Sequence, residues 1–354
     1  MKALVMMSVA TVAAVGCSSS PMTDAQFSQN ITQGMHDALQ NDLTALVDGT
    51  AALQAAAPDH PWDNTDPAVP AMQAAWIKAR NAYEHIEGAT APIFPDIDVS
   101  IDGRVEDFGP DPGLGVLTTN CNVFSGLDPS TSMPCFTGLH AAERIMYVNT
   151  VPAAVIAYEQ GLGFVPPLSF PKTQQNADDF KNKLAPKAVS DAMSLKTGWQ
   201  PAVIDIGSAF QGLVALMNEQ KEKVTKAGLD QEESRYSQRT MDDLRQNLAG
   251  TANIYKLFQP WIKSKDGGDA IDAKIESGFN TLSALYDSAP YTGVAFPAPP
   301  AGWDDTNPSA ADLQTPFGQL FQAVQSAVDP ASADSVVSQM NAAAALCGLP
   351  QFSE

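Results

Sequence analysis

Apolar residues recur at three- and four-residue intervals along most of the chain, the spacing of helices that bury one face. The pattern opens at Thr23-Asp24-Ala25-Gln26, a capping box. Behind it Phe27, Ile31, Met35, Leu39, Leu43 and Leu46 predict one long amphipathic helix to about Ala57. A polar, proline-rich break covers 58–67, after which Met72, Trp76, Ala79, Tyr83 and Ile86 form a second stripe that Pro92 and Pro95 end. Between Phe94 and Thr137 the helical period fades into Gly, Pro, Asp, Asn and Ser. That predicts a long loop, a feature that is uncommon inside a compact domain and often functional. Helical period returns from Gly138 to about Tyr147 and from Ala154 to Gln160.

A Gly/Pro-rich break at 161–171 marks the expected domain boundary. Beyond it the pattern predicts helices near 175–195, 201–227, 239–263, 269–287, 312–328 and 332–346. The clearest opens at Thr240, capped toward Asp243, and turns Met241, Leu244, Leu248, Tyr255 and Phe258 inward. A proline-rich loop at 290–308 interrupts the series, and no alternating strand pattern of useful length occurs. The expected fold is all-α, with an N-terminal helical bundle at 23–165 that includes the loop 94–137, and a C-terminal bundle at 172–354.

The first residues change the picture of where the protein works. Lys2 precedes an apolar stretch from Ala3 to Val15 that is too short for a stable membrane span, as in a signal peptide covering 1–16. Cys17 follows small residues and reads as a lipidated first residue, with 17–22 as a polar tether to the membrane. An ordinary cleaved leader with an incidental cysteine is the alternative, because Ala14 stands where a larger aliphatic residue is usual. In either case the protein is exported, facing the periplasm or the cell surface. In such a compartment Cys121 and Cys135, flanking a Gly/Pro/Ser/Asp-rich stretch, are the expected disulfide. A loop of that size would stabilise by about 3 kcal/mol on the chain-entropy model. Cys347, preceded by a run of alanines, reads as a buried thiol. The formal charge of −20 makes nucleic acid and anionic lipid poor partners and cations better ones.

Candidate chemistry concentrates in the first half. Arg80, Glu84 and Glu87 are spaced by four and three, so they are expected on one helix face beside the apolar stripe. His140 and Glu143 are three apart in Gly138-Leu139-His140-Ala141-Ala142-Glu143 and share a face with Tyr147. Between them runs Asp96-Ile97-Asp98-Val99-Ser100-Ile101-Asp102-Gly103-Arg104, whose acids begin like a calcium loop. That reading fails at the sixth position, where Ile101 replaces the required Gly. The constellation Glu84, Glu87, Asp102 and His140, with Glu143 beside it, combines hard oxygen donors with one imidazole, a set suited to iron, manganese or zinc. Carboxylates and Glu/His pairs of this kind bind metal inside helical bundles. Solvated glutamates and a structural histidine are the plainer explanation of the same spacing.

The chain resembles the imelysin family, which includes imelysin peptidase-like proteins and EfeO-type iron-uptake components. The resemblance rests on the segment from Trp76 through Arg80, Tyr83 and Glu84 to Glu87, on Asp98 to Phe108, on Gly138-x-His140-x-x-Glu143, and on Thr240 to Gly250. It implies two helical bundles with the Gly-x-His-x-x-Glu signature near their interface. It also implies a metal site, with iron favoured and zinc possible, built from Glu84, Glu87, Asp102 and His140, with Glu143 a ligand or a partner of one. The chain departs from the family pattern in two places. The first bundle helix starts six residues after Cys17, leaving no room there for the cupredoxin-like domain of many EfeO proteins, and an insertion carrying Cys121 and Cys135 precedes the signature.

The function expected is an envelope lipoprotein that binds a metal ion for iron uptake, its partners being the ion, the membrane through the anchor, and an iron-uptake permease or other envelope protein. A metallopeptidase is the enzyme class to weigh against it. However, residue 144 is Arg where a His-Glu-x-x-His helix would carry its second histidine, and no inverted form of that motif occurs. A third alternative is a non-catalytic polymer- or peptide-binding lipoprotein using Tyr291 and Trp303, aromatics that could equally plug their loop onto the core. His36, His60 and His85 have no nucleophile motif nearby, which leaves serine and cysteine hydrolases unsupported.

Overall fold

A computed structural model of the chain describes residues 21–108, 136–161 and 169–353. The expected leader, the lipidation at Cys17 and the Cys121–Cys135 pairing lie outside the described residues. Among those described, the regular structure is helical and no strand occurs. The α-helices are α1 Asp24–Ala38, α2 Gln40–Ala56, α3 Val69–Glu84, α4 Glu87–Thr90, α5 Pro95–Asp102, α6 Gly138–Met146 and α7 Ala153–Gly161. They continue with α8 Gln174–Asp179, α9 Ala185–Trp199, α10 Ile206–Ala227, α11 Thr240–Lys263, α12 Gly268–Tyr286, α13 Pro316–Val328 and α14 Val336–Cys347. No helix among the described residues is long and apolar enough to cross a membrane.

The capping box forms, with Thr23 N–H donating to Gln26 Oε1 at 2.8 Å and Gln26 N–H to Thr23 Oγ1 at 3.3 Å. The helix that follows is not continuous to Ala57. It breaks at Leu39, because α1 packs on α11 whereas α2 packs on α3 and α9, and one straight rod could not address both. Packing therefore crosses between the two halves of the chain: α9 lies on α2, α1 on α11, and α4 on α10 and α11. A single contiguous core runs through both halves, from Phe27 and Trp76 to Phe258 and Met340.

Three local expectations change. The segment read as a loop contains α5, which begins with Pro95 in its first turn and carries Asp96 and Asp98 there, where acids complement the helix dipole. The helix α3 stops at Glu84, and Glu87 opens the separate helix α4. The Thr240 side chain does not cap α11; its hydroxyl instead accepts from Ser234 N–H at 3.0 Å and ties down the preceding turn.

The Pro-rich loop also settles the role of its aromatics. Tyr291 is buried and donates to Pro316 O at 3.0 Å, and Trp303 packs edge-on against Phe317 and Phe321 with ring centroids 5.0 Å away in each case. Buried Tyr291 and half-buried Trp303 thus pack the loop onto the core. Cys347 is buried and unbonded to another cysteine, its thiol pushed up to about 11 by burial.

Candidate metal centre

The centre lies where α3, α4, α5, α6, α10 and α11 converge with the turn at 228–239. Two glycines let these elements approach. Gly138 has φ +84, and a Cβ there would lie 2.4 Å from Ile101 O, so the start of α6 rests against the end of α5. At Gly250 a Cβ would lie 1.9 Å from His85 O, so α11 rests against the α3–α4 junction. Trp76 adds a polar tie, donating its Nε1–H to Leu139 O at 2.9 Å.

Arg80 sits at the middle of the cluster, 1% exposed. Its guanidinium meets Glu84 Oε1 at 2.5 Å, Glu233 Oε1 at 2.8 Å and Asp243 Oδ1 at 3.3 Å, and it also contacts Asp102. Lys223 from α10 is the second buried cation. Its ammonium lies 2.6 Å from Glu233 Oε2, 3.3 Å from Glu84 Oε2 and 3.8 Å from Glu87 Oε2, and donates to Asn247 Oδ1 at 2.7 Å. Asn247 in turn donates to the Glu84 carbonyl at 2.9 Å, to Glu84 Oε2 at 2.8 Å and to Glu87 Oε2 at 2.9 Å.

His140 approaches from α6. Its Nδ1 is 2.8 Å from Glu143 Oε2, and Glu143 Oε1 accepts the Ser237 backbone N–H at 2.8 Å. The other ring nitrogen, Nε2, is buried and makes no hydrogen bond; it lies 3.5 Å from Asp102 Oδ1. One donor atom from each of Asp102, His140 and Glu233 falls within 4.8 Å of the others, as does one from each of Glu84, Glu87 and Asp102. Asp102 belongs to both sets, so the two triads form one connected cluster.

Burial dominates the electrostatics. It pushes the Glu84 carboxyl up to about 8 against the pull of Arg80 and Lys223, holds Glu87 well above the usual carboxylate range, and pushes Glu143 up to about 8. Glu233 is the exception: burial raises it, but Lys223 and Arg80 together outweigh that and hold it well below the usual range. His140 is held well below its ordinary value by burial and then by Arg80. At neutral pH the imidazole is therefore uncharged.

A cavity of about 160 Å³ opens onto the cluster, lined among others by Glu87, Asp98, Asp102, Glu219, Lys223 and Glu233. Asp98 accepts the Tyr83 hydroxyl at its edge.

The structure thus brings all five expected residues, Glu84, Glu87, Asp102, His140 and Glu143, to one place. It also adds residues that periodicity did not single out. In the sequence Arg80 stands out by its shared face with the glutamates and by the resemblance segment, Asp243 as the expected cap partner of Thr240, and Asn247 within a resemblance segment alone. Glu233 sits in a turn with no periodic pattern, and Lys223 reads as one more polar position on a long helix. His85, off the glutamate face, pairs with Asp42 at 2.8 Å.

Both halves of this arrangement lie within the stretch matched by the imelysin family model, residues 31–327. The chain belongs to the imelysin family. It is 24% identical over 210 residues to the iron uptake system component EfeO of Yersinia pseudotuberculosis, covering 59% of this chain and 42% of that one, so it spans less than half the length of that relative. To an Efem/EfeO family lipoprotein of Staphylococcus haemolyticus it is 24% identical over 259 residues, covering 73% of this chain and 70% of the other. Among solved structures, an imelysin-like protein from Psychrobacter arcticum superposes with a TM-score of 0.58 at 11% identity, covering 94% of this chain and 99% of that one. That likeness establishes the imelysin fold alone.

Proposed function

We propose that this imelysin-family chain is an exported, lipid-anchored envelope protein that captures a metal ion, iron foremost, as cargo for an uptake system, with Asp102, His140, Glu233, Glu84 and Glu87 as its ligands. The observation that carries the reading is His140 Nε2, a buried imidazole nitrogen without a hydrogen bond that lies 3.5 Å from Asp102 Oδ1, on a residue whose donor atom groups with those of Asp102 and Glu233. Its opposite nitrogen is held by Glu143, which is itself held by a backbone N–H. That is the carboxylate–histidine arrangement that orients an imidazole toward a metal, which makes Glu143 a positioning residue.

The donor set of several carboxylate oxygens and one imidazole suits a hard or borderline ion. With Glu143 pushed up to about 8 and His140 held neutral, the pair carries one proton on the carboxyl and one on the ring at neutral pH. An ion at Nε2 favours the tautomer with the proton on Nδ1, donated to an ionised Glu143. Binding then releases one proton from this pair. The acid-rich surface, the Cys17 anchor and delivery to an iron permease or another envelope protein complete the reading, and the names of the EfeO-type relatives support it.

Metallopeptidase activity finds less support, since Arg144 stands in the place of a second histidine and is turned onto Glu159 at 2.9 Å. The experiment that tests the proposal is metal analysis and titration calorimetry with Fe2+ (anaerobic) and Zn2+ on wild type, His140→Ala and Glu84→Ala/Glu87→Ala. Stoichiometric binding lost in both variants supports the site. Absence of binding in the wild type under aerobic and reducing conditions would falsify it.

A further inference from the structure

The two buried cations of the cluster are held in different ways. Arg80 is planar, enclosed, and fixed from several sides by Glu84, Glu233, Asp243 and Asp102. A guanidinium so clamped is a permanent counter-charge. Lys223 ends in a compact ammonium on a flexible four-carbon stem and lines the cavity. Its ammonium touches Glu84, Glu87 and Glu233, three of the acids assigned above as ligands. Glu219 lies one turn back on the same helix and lines the same cavity, within reach of a lysine four residues on.

A di- or trivalent ion seated on either triad, Glu84/Glu87/Asp102 or Asp102/His140/Glu233, would share at least one acid with that ammonium and stand close to it. Like charges at such a separation in a buried site repel strongly, so both cannot hold the same oxygens. Without either, Glu84 and Glu233 would share Arg80 and Glu87 would lose the ammonium beside it.

We propose that Lys223 is a tethered counter-cation that occupies the carboxylate subsite in the absence of metal and swings to Glu219 when the ion enters, so that every binding event displaces a lysine. This rests on the metal-capture reading above. The exchange makes capture reversible, as delivery to a second protein requires. It also sets a charge threshold: replacing one positive charge with another gains little, whereas a multivalent ion gains the difference. Lys223 would thus select di- and trivalent ions over Na+ and K+.

The test pairs calorimetry with chemical labelling. With Zn2+ as probe, Lys223→Met, which keeps the side-chain bulk and removes the charge, is expected to bind at least ~10-fold more tightly than wild type, since the competing internal cation is gone. Because Lys223→Met takes the ammonium from buried acids and could fail to fold, the second measurement uses the wild-type protein. Acetylation of lysines is mapped by mass spectrometry with and without saturating Zn2+, and metal is expected to raise modification of Lys223 several-fold relative to Lys226. His140→Ala should show neither Zn2+ binding nor the labelling change. Wild-type binding abolished by His140→Ala, together with Lys223 labelling that stays constant or falls, overturns the displacement and leaves the metal site standing. No wild-type binding overturns both.

Discussion

Asn247 joins the end of one helix to the start of the next: its side-chain amide donates to the Glu84 carbonyl at 2.9 Å and to Glu87 Oε2 at 2.9 Å. The first bond satisfies a carbonyl that the termination of α3 leaves without a helical partner, and the second fixes the first residue of α4. One residue of α11 therefore holds both glutamates at the centre. Asn247→Ala should destabilise the fold by about 1–3 kcal/mol, the cost of stranding buried acceptors, read as a lower urea midpoint with an unchanged slope. Asn247→Asp should be worse still, since it adds a buried carboxylate beside Glu84.

Arg80 gives a stronger expectation. Removing it leaves Glu84, Asp102, Glu233 and Asp243 without their shared partner. Breaking a buried ion pair from one side typically costs about 3–5 kcal/mol, so Arg80→Ala should unfold cooperatively at a markedly lower temperature or fail to accumulate as folded protein. Arg80→Lys should recover little, because one ammonium cannot reproduce a fork that serves four acids. A melting temperature for Arg80→Lys close to that of wild type would show that the network is looser than its geometry.

The Glu143 carboxyl predicts how stability depends on pH. Burial raises it from an ordinary value of 4.5 to about 8 in the folded chain. A raised acid binds its proton more tightly folded than unfolded, so its contribution is fully present below about 4.5 and is lost as pH rises through about 8. The metal-free protein should therefore lose stability between those values. Glu143→Gln, which cannot ionise, should flatten that part of the profile, and chemical denaturation at several pH values checks this. The same variant should weaken metal binding by about 10- to 100-fold while His140→Ala abolishes it, as expected of a residue that orients the ligand.

Gly138→Ala tests whether the backbone positions the histidine. The residue has φ +84, and its Cβ would press on Ile101 O at 2.4 Å. Backbone strain of this kind costs on the order of 1–3 kcal/mol, and relief by shifting α6 would move His140 away from Asp102. Reduced stability and reduced metal affinity are both expected. A variant that loses stability but binds metal as wild type would separate the strain from the site.

The helices were largely legible because each stripe is a local property of three- to four-residue spacing, as at Phe27, Ile31 and Met35 or Leu244, Leu248 and Tyr255. Where local cues conflicted, the reading failed. At Pro95 to Asp102, proline and aspartates suggest a loop to a composition-based eye, yet both belong in the first turn of a helix. The break at Leu39 carries no glycine or proline and follows from the different partners of α1 and α2. The plugging of Tyr291 and Trp303 likewise depends on what lies beneath their loop.

Spacing alone placed His140 three residues before Glu143 on one face and Arg80 one turn from Glu84, since a helix brings such pairs together whatever surrounds it. The nearness of Glu84 to Glu87 survives for a different reason, an amide reaching in from α11 at a helix junction. The addition of Glu233, Asp243 and Lys223 belongs to the tertiary fold. They stand more than a hundred residues from Arg80 along the chain, and no periodic signal spans that separation. Only packing brings their charges into a shared low-dielectric space, and it is there that burial leaves the His140 ring neutral with one nitrogen near Asp102.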